Sequence, residues 1–269
     1  MTMFKPNGIV TLLSDFVIED GYVAAMKGAI LSAAPEARIA DAAHGVPAQD
    51  VRSGAWALAQ YWDRFPAGTI HVAVVDPGVG TDRRALALLA DARLILAPDN
   101  GLVSWIAERA AAVEARALRA DAHAPDGVSA TFHGRDVFAW AAGQVLSGRA
   151  SVADLTEPCA DIVRGAWTRP AARGHLVRGE IVHFDRFGNA VTNIPAAEFE
   201  RGAGRSFRIE VRSYLFARLR RTYADAGRGE RLALINSGGM LELAMCCGNA
   251  RERLALRPGD AVTLTFRDA

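Results

Sequence analysis

The stretch His71–Arg84, HVAVVDPGVGTDRR, decides how the rest of the chain is read. An apolar run, Val72 to Val75, ends in Asp76. A Pro-Gly-Val-Gly turn follows, then Asp82, Arg83 and Arg84, and a second apolar run from Ala85 to Leu89. An apolar run of this length between turn residues reads as a buried strand. It delivers a carboxylate to its tip and turns back through Gly78 and Gly80, where the missing Cβ atoms make room for a ligand. Asp76 and Arg83 can share the rim of that turn as part of a site. The alternative is a tight turn between two core strands with a surface ion pair, and this stretch alone leaves both open. Arg84 is expected to be surface charge only.

Toward the N-terminus the pattern alternates. Ile9 to Leu13 is a short apolar run, closed by Ser14-Asp15-Phe16. Asp20 opens a helical pattern with Val23, Met26, Ile30 and Leu31 on one face, ended by Pro35. Ala37 to Ala43 is a second strand, ending near Asp41 and His44. Asp50 caps a helix that runs to about Phe65. Beyond the opening stretch, Ala85–Leu89 and Leu94–Ala97 form a hairpin. Pro98-Asp99-Asn100-Gly101 then leads into a helix over Leu102–Ala110, and His133-Gly134-Arg135-Asp136 opens another over Val137–Val145. Strands alternating with helices predict a mostly parallel sheet between helices, an α/β domain over residues 1–164.

The character changes after Glu157-Pro158. Residues 165–175 are rich in Arg, Gly and Pro and read as a linker. From 176 to 269 the runs are short and strand-like: Glu180–Phe184, Ala190–Ile194, Ser206–Val211, Leu232–Ile235, Leu254–Leu256 and Ala261–Phe266. They predict a smaller all-β, barrel-like domain.

Composition excludes several function classes. Hydrophobic content of 51% over 269 residues is that of a folded protein, and a net charge of +1 offers no footprint for nucleic acid or an anionic membrane. Cys159, Cys246 and Cys247 make no disulfide framework or zinc knuckle and are expected to be small buried residues. No segment reads as a signal peptide or a membrane span, so a cytoplasmic protein is expected.

Asp15, Asp76 and Asp99 all fall at strand ends, where open α/β sheets bind ligands, although a single such Asp is often a cap or turn former. Gly78-Val79-Gly80 begins like a dinucleotide fingerprint, but Arg83 stands where its third glycine belongs. Asn236-Ser237-Gly238-Gly239 is a glycine-rich turn without a phosphate-binding lysine. His133 stands apart from the other histidines because a helix start follows it. In FDRFGN, Asp185 can accept from an ammonium group, Phe187 offers a flat face for a purine, and Asn189 can read a base edge. A plain turn between two strands accounts for the same residues.

Six motifs in order give the chain a likeness that runs nearly end to end. They are SDFxxxDxYxxxMKG (Ser14–Gly28), VVDPGVGTDRR (Val74–Arg84), APDNGL (Ala97–Leu102), TFHGRD (Thr131–Asp136), FDRFGNAVTNI (Phe184–Ile194) and NSGGMLELAMCCGNA (Asn236–Ala250). The chain resembles the adenosine-forming S-adenosylmethionine hydrolases, or SAM hydroxide adenosyltransferases, relatives of the fluorinase and chlorinase. The resemblance implies a reaction of S-adenosylmethionine with water that gives adenosine and L-methionine, with no cofactor and no metal. It implies a homotrimer with sites between the N-domain of one subunit and the C-domain of the next. By the same likeness Asp76, Arg83 and His133 are the water-handling triad. Asp15 takes the ribose diol; Asp20, Asp185 and Ser237 lie near the methionine amino group; Phe187 and Asn189 hold the adenine. Tyr22 and Asn100 match motifs without an assigned role. The halogenating relatives lack the triad, and the fluorinase places a serine where Gly134 stands, so the resemblance favours water over halide. A halogenase, another adenosyl transferase or a non-catalytic sensor of adenosine or S-adenosylmethionine are the alternatives. Val17 replaces a usual glycine, Met240 stands where an aromatic is common, and Cys246 and Cys247 replace residues at the adenine end.

Overall fold

The apolar runs at the start of the chain become the parallel half of a seven-stranded sheet. A computed structural model describes residues 4–267, which divide into two compact units between Gly165 and Ala166. The first unit runs β1 (Ile9–Ser14), α1 (Tyr22–Ala33), β2 (Arg38–Ala43), α2 (Val51–Tyr61), β3 (Ile70–Val74), β4 (Ala85–Ala90), β5 (Arg93–Pro98) and α3 (Ser104–Arg109). It continues with β6 (Val113–Leu118), a π-helical turn (Gly134–Ala139), α4 (Trp140–Leu146), α5 (Val152–Leu155) and β7 (Thr156–Pro158).

The strand order is β2-β1-β3-β5-β4-β6-β7. Pairing is parallel from β2 to β5 and antiparallel from β5 to β7, so the sheet is mixed. The 85–97 hairpin explains this: once β4 returns alongside β5, everything beyond it pairs antiparallel. Its two-residue turn, Asp91-Ala92, holds φ of 43° and 61°, the primed-turn geometry that suits a hairpin. All five residues of β3 are buried, because helices cover both faces of the central strands. Val10, Leu12, Val72 and Val74 share one core with Val23, Met26 and Ile30 of α1 and with Ala142 and Val145 of α4. On the opposite face Tyr61 of α2 lies edge-on to His71, and Trp56 of α2 meets Trp105 of α3.

Several expectations need correction. Leu31 is exposed; the apolar face of α1 is Val23, Met26, Ile30 and Ala33. The N-cap of α1 is Gly21 at φ 77°, not Asp20. Asp50 does cap α2, its carboxylate accepting from Ser53 N at 2.9 Å and from Ser53 Oγ at 2.7 Å. No periodic signal marked Val113–Leu118, yet β6 forms there. Its outer residues are polar or half-exposed, and pairing with β4 and β7 holds it in place.

The second unit runs β8 (Ala171–Arg173), β9 (Leu176–Phe184), β10 (Ala190–Pro195), α6 (Ala196–Arg201), β11 (Ser206–Val211), β12 (Tyr214–Phe216), β13 (Leu219–Arg220), β14 (Arg231–Ile235), β15 (Met240–Met245), α7 (Ala250–Arg253) and β16 (Ala261–Arg267). Strand order is β12-β11-β16-β9-β10-β15-β14-β13, with β8 on β9. Val211 and Phe216 near one edge share a core with Ala233 and Leu241 near the other. That requires the sheet to curl on itself into a nearly closed, barrel-like form. Leu254 and Leu256 are not a strand. They follow α7 and are buried against that core, so their apolar character reflects packing rather than pairing. The stretch 165–175 contains a short 3-10 turn at Ala166–Thr168 as well as β8.

Candidate active site

The carboxyl ends of β1, β3 and β5 form one edge of the first unit. Ser14 of β1 pairs with Val74 of β3, so Asp15 follows the tip of β1 and Asp76 stands two residues past the tip of β3 on the same edge. The turn after β3 folds Arg83 back over Asp76. Arg83 Nε donates to Asp76 Oδ1 at 2.9 Å and to Oδ2 at 3.0 Å, and Nη2 donates to Oδ2 as well. The two side chains are only 4% (Asp76) and 10% (Arg83) exposed. The surface ion pair that the sequence left open is therefore a buried one. Nη2 also donates to His133 Nδ1 at 2.9 Å, and the Phe138 ring lies under the guanidinium, 5.4 Å from its carbon.

Arginine can only donate, so His133 Nδ1 must accept. In the neutral ring the proton then sits on Nε2. Burial, and next the Arg83 charge, hold the His133 pKa below its ordinary value, which keeps the ring neutral at pH 7. His133 stands immediately before a π-helical turn, a local distortion that recurs at functional sites.

Gly80 explains how His133 reaches the turn. At φ 77° a Cβ there would stand 2.4 Å from Ala130 O. The glycine lets the 76–83 turn nest against the segment that leads into His133. The need for glycine at position 80 is thus set by the protein's own backbone, whereas a Cβ at Gly78 would meet only its own turn at ordinary distances.

Asp15 is held by its neighbours. Its Oδ2 accepts from Gln49 N at 2.7 Å. Ser14 Oγ lies 2.8 Å from His44 Nδ1, and His44 Nε2 lies 3.1 Å from Asp41 Oδ1. Asp41 also accepts from Lys27 Nζ at 2.6 Å. A carboxylate can only accept, so His44 Nε2 donates to Asp41, and Nδ1 accepts from the Ser14 hydroxyl. The polarity is that of a serine–histidine–aspartate relay, but Ser14 is fully buried. It anchors the end of β1 instead of attacking a substrate. Val17 N donates to His44 O at 2.9 Å, with Val17 at φ 50°, a conformation costly for a β-branched residue. Asp20 is exposed on the same loop.

Asn100, unassigned from the sequence, donates through Nδ2 to Val75 O at 2.8 Å and so braces the peptide next to Asp76. Two other sequence readings are overturned here. Asp99 is not an open ligand group: it accepts from Arg84 Nε at 2.9 Å and from Val163 N at 2.8 Å. Arg84 is correspondingly more than surface charge, since it also donates to Asp161 O at 2.9 Å and ties this segment to the end of β5.

In the second unit the FDRFGN stretch is a built turn. Asp185 Oδ1 accepts from Phe187 N and Asn189 N, each at 2.9 Å, and Oδ2 accepts from Asn189 Nδ2 at 2.9 Å. Much of the Asp185 carboxylate is thus spent on orienting Asn189. Gly188 sits at φ 81°, where a Cβ would collide with Asn249 Oδ1. The Phe187 ring stands 75% exposed. Asp185, Phe187, Asn189, Tyr223 and Cys247 line a cleft of about 570 Å³. Cys246 is buried as expected, but Cys247 is exposed. Ser237 lies on the exposed turn between β14 and β15. Among the described residues, no group of three or more His, Cys, Asp or Glu is placed to hold a metal ion, and no helix is long and apolar enough to cross a membrane.

With this geometry in hand, comparison with known proteins is informative. The model of the SAM hydroxide adenosyltransferase N-terminal domain matches residues 10–156, and that of the C-terminal domain matches residues 179–263. The chain belongs to the SAM hydroxide adenosyltransferase family. An (R)-S-adenosyl-L-methionine hydrolase of Thermus thermophilus is 39% identical over 266 residues, 95% of this chain and 98% of the relative. A fluorinase of an Actinoplanes species is 30% identical, covering 96% of this chain and 98% of the relative. Among solved structures, an uncharacterized conserved protein from Thermotoga maritima superposes with a TM-score of 0.84 at 29% identity, covering 95% of this chain and 99% of that one. The Asp76–Arg83–His133 cluster lies within the stretch matched by the SAM hydroxide adenosyltransferase N-terminal domain, and the FDRFGN turn within that matched by the C-terminal domain.

Proposed function

We propose that this protein is a cytoplasmic enzyme that hydrolyses S-adenosyl-L-methionine to adenosine and L-methionine. The observation that carries the reading is the Asp76–Arg83–His133 cluster at the carboxyl edge of the sheet, with its ion pair buried and His133 half-buried. Water attacks the ribose 5′-carbon in line with the departing sulfur. The leaving group is a neutral thioether and needs no general acid. The task of the site is to position one water and take its charge in a dry pocket.

Asp76 is the acceptor for that water. Its Oδ1 accepts only once from Arg83, while Oδ2 accepts twice, so Oδ1 keeps a lone pair for the water. Arg83 holds the carboxylate still and favours developing hydroxide charge. His133, neutral with its proton on Nε2, is a donor to the reacting group, and its own proton acceptance would require it to release Arg83. Gly134 fits this assignment. A Cβ there would stand 3.3 Å from Phe16 Cε2 and 3.4 Å from both Met26 Sδ and Phe132 Cε2, so a halide-binding serine would crowd its neighbours.

Asp15 takes the ribose hydroxyls, Phe187 and Asn189 hold the adenine, and Asp20, Asp185 and Ser237 surround the methionine amino group. These residues are divided between the two units, and a homotrimer with sites between subunits would bring such groups to one ligand. The test is turnover in oxygen-18 water with each sulfonium epimer supplied separately. Labelled 5′-hydroxyl in the adenosine supports the mechanism. Unlabelled adenosine, or none from either epimer, overturns it. A chloride-dependent halogenated nucleoside would instead assign the chain to the halogenating branch.

A further inference from the structure

Glu242 is a buried carboxyl group that the proposed reaction does not use. It lies on β15 between Leu241 and Leu243, both of which face the barrel core, so Glu242 points to the other side of the sheet. It is 3% exposed. Burying a carboxyl without partners costs several kcal/mol, and this one has two. Tyr223 Oη donates to Oε1 at 2.6 Å, and Asn236 Nδ2 donates to Oε2 at 3.2 Å.

Each partner belongs to a different part of the second unit. Tyr223 lines the cleft that also contains Phe187 and Asn189. Its hydroxyl is spent on Glu242, which fixes where the ring stands in the cleft wall. Asn236 opens the turn that carries Ser237. Its Oδ1 accepts from Gly238 N at 3.0 Å and from Met240 N at 3.1 Å, which sets the shape of that turn. Asn236 can do this only with its amide oriented as it is, and Glu242 Oε2 is the acceptor that fixes the orientation.

We propose that Glu242 is a positioning residue that sets two regions of the substrate site at once: the aromatic wall at Tyr223 and the Ser237 turn. The proposal rests on the reading that the cleft takes the adenine and that the turn serves the methionine end. The two arms can be cut separately. Tyr223→Phe removes the hydroxyl and leaves the Asn236 arm in place. Asn236→Ala removes the other partner, and with it the acceptor that holds Gly238 N and Met240 N, and leaves the Tyr223 arm in place. Glu242→Ala cuts both arms.

The readouts are the adenosine Kd by calorimetry and the KM and kcat for S-adenosylmethionine. Tyr223→Phe is expected to raise adenosine Kd and substrate KM by the same factor, about fivefold. Asn236→Ala is expected to raise KM by about fivefold with adenosine Kd unchanged. Glu242→Ala should raise both, and in all three kcat should change far less than KM, the pattern of lost uniform binding. If Glu242→Ala lowers the melting temperature but leaves Kd and KM at their parent values, Glu242 is only structural and the proposal fails. It fails equally if Asn236→Ala and Tyr223→Phe cannot be told apart. A parent protein that neither binds adenosine nor consumes S-adenosylmethionine would refute the functional reading itself, independently of the variants.

Discussion

Replacing Arg83 by methionine keeps the length of the side chain and removes its charge. Asp76 is then left 4% exposed without the fork that now holds both its oxygens. Removing one partner from a buried ion pair costs about 3–5 kcal/mol. The pair lies at the edge of the sheet with Arg83 10% exposed, so the lower figure, about 3 kcal/mol, is expected. Turnover should fall by about two to three orders of magnitude, the usual effect of deleting one aimed donor in a polar site. Arg83→Lys should lie between the two, because one ammonium group cannot fork onto Asp76 and also reach His133.

The pH dependence adds an independent measurement. His133 is held below its ordinary value by burial first and by Arg83 second. Its protonated form would break the bond from Arg83. Activity in the parent should therefore be full above pH 6.5 and fall as the pH drops through the depressed value. In Arg83→Met burial still lowers the His133 pKa, the Arg83 charge no longer does, and Asp76 and Asp136 still raise it, so the acid limb should move up. Urea unfolding at pH 7.5 and adenosine formation from pH 4.5 to 9 are the assays. A variant that unfolds at the parent's urea concentration and keeps the parent's acid limb would refute the account of the cluster.

Two further outcomes are expected. Val17 is 44% exposed at φ 50°, so Val17→Gly gives up little burial and relieves strain. The relief, less the entropy of a glycine, should stabilise the protein by about 1 kcal/mol in a urea titration, and a loss of stability would show that φ is not strained there. His71 is fully buried, with Nδ1 2.7 Å from Thr11 Oγ1. Burial, then Arg93, lower its pKa to about 3. Its stabilising contribution is complete above pH 6.5 and lost as the pH falls toward 3, about 2 kcal/mol by pH 5. The Thr11→Val/His71→Leu protein should retain correspondingly more of its pH 7.5 stability at pH 5, and an unchanged pH slope would count against the reading.

The order of elements, the buried strand before Asp76 and the turn after it were legible in the sequence. Those features rest on local rules: apolar period, caps and glycines at turns. So was the hairpin that turns the sheet from parallel to antiparallel, although its effect on the sheet was not. Family likeness singled out His133, but no spacing rule could place it on Arg83, 50 residues earlier. That meeting depends on two segments nesting at Gly80, a contact invisible in one dimension. The weaker readings failed for the same reason. Arg84 and Asp99 looked like surface charge and a ligand group until the fold joined them to Asp161 and Val163. Glu242 sat unremarked among leucines, because only the folded second unit sets one carboxyl between Tyr223 and Asn236. What the sequence alone determined was which side chains could carry the chemistry. Which of them are buried, paired and turned toward one another was decided by the tertiary structure, since burial and hydrogen-bond partnership belong to residues distant along the chain.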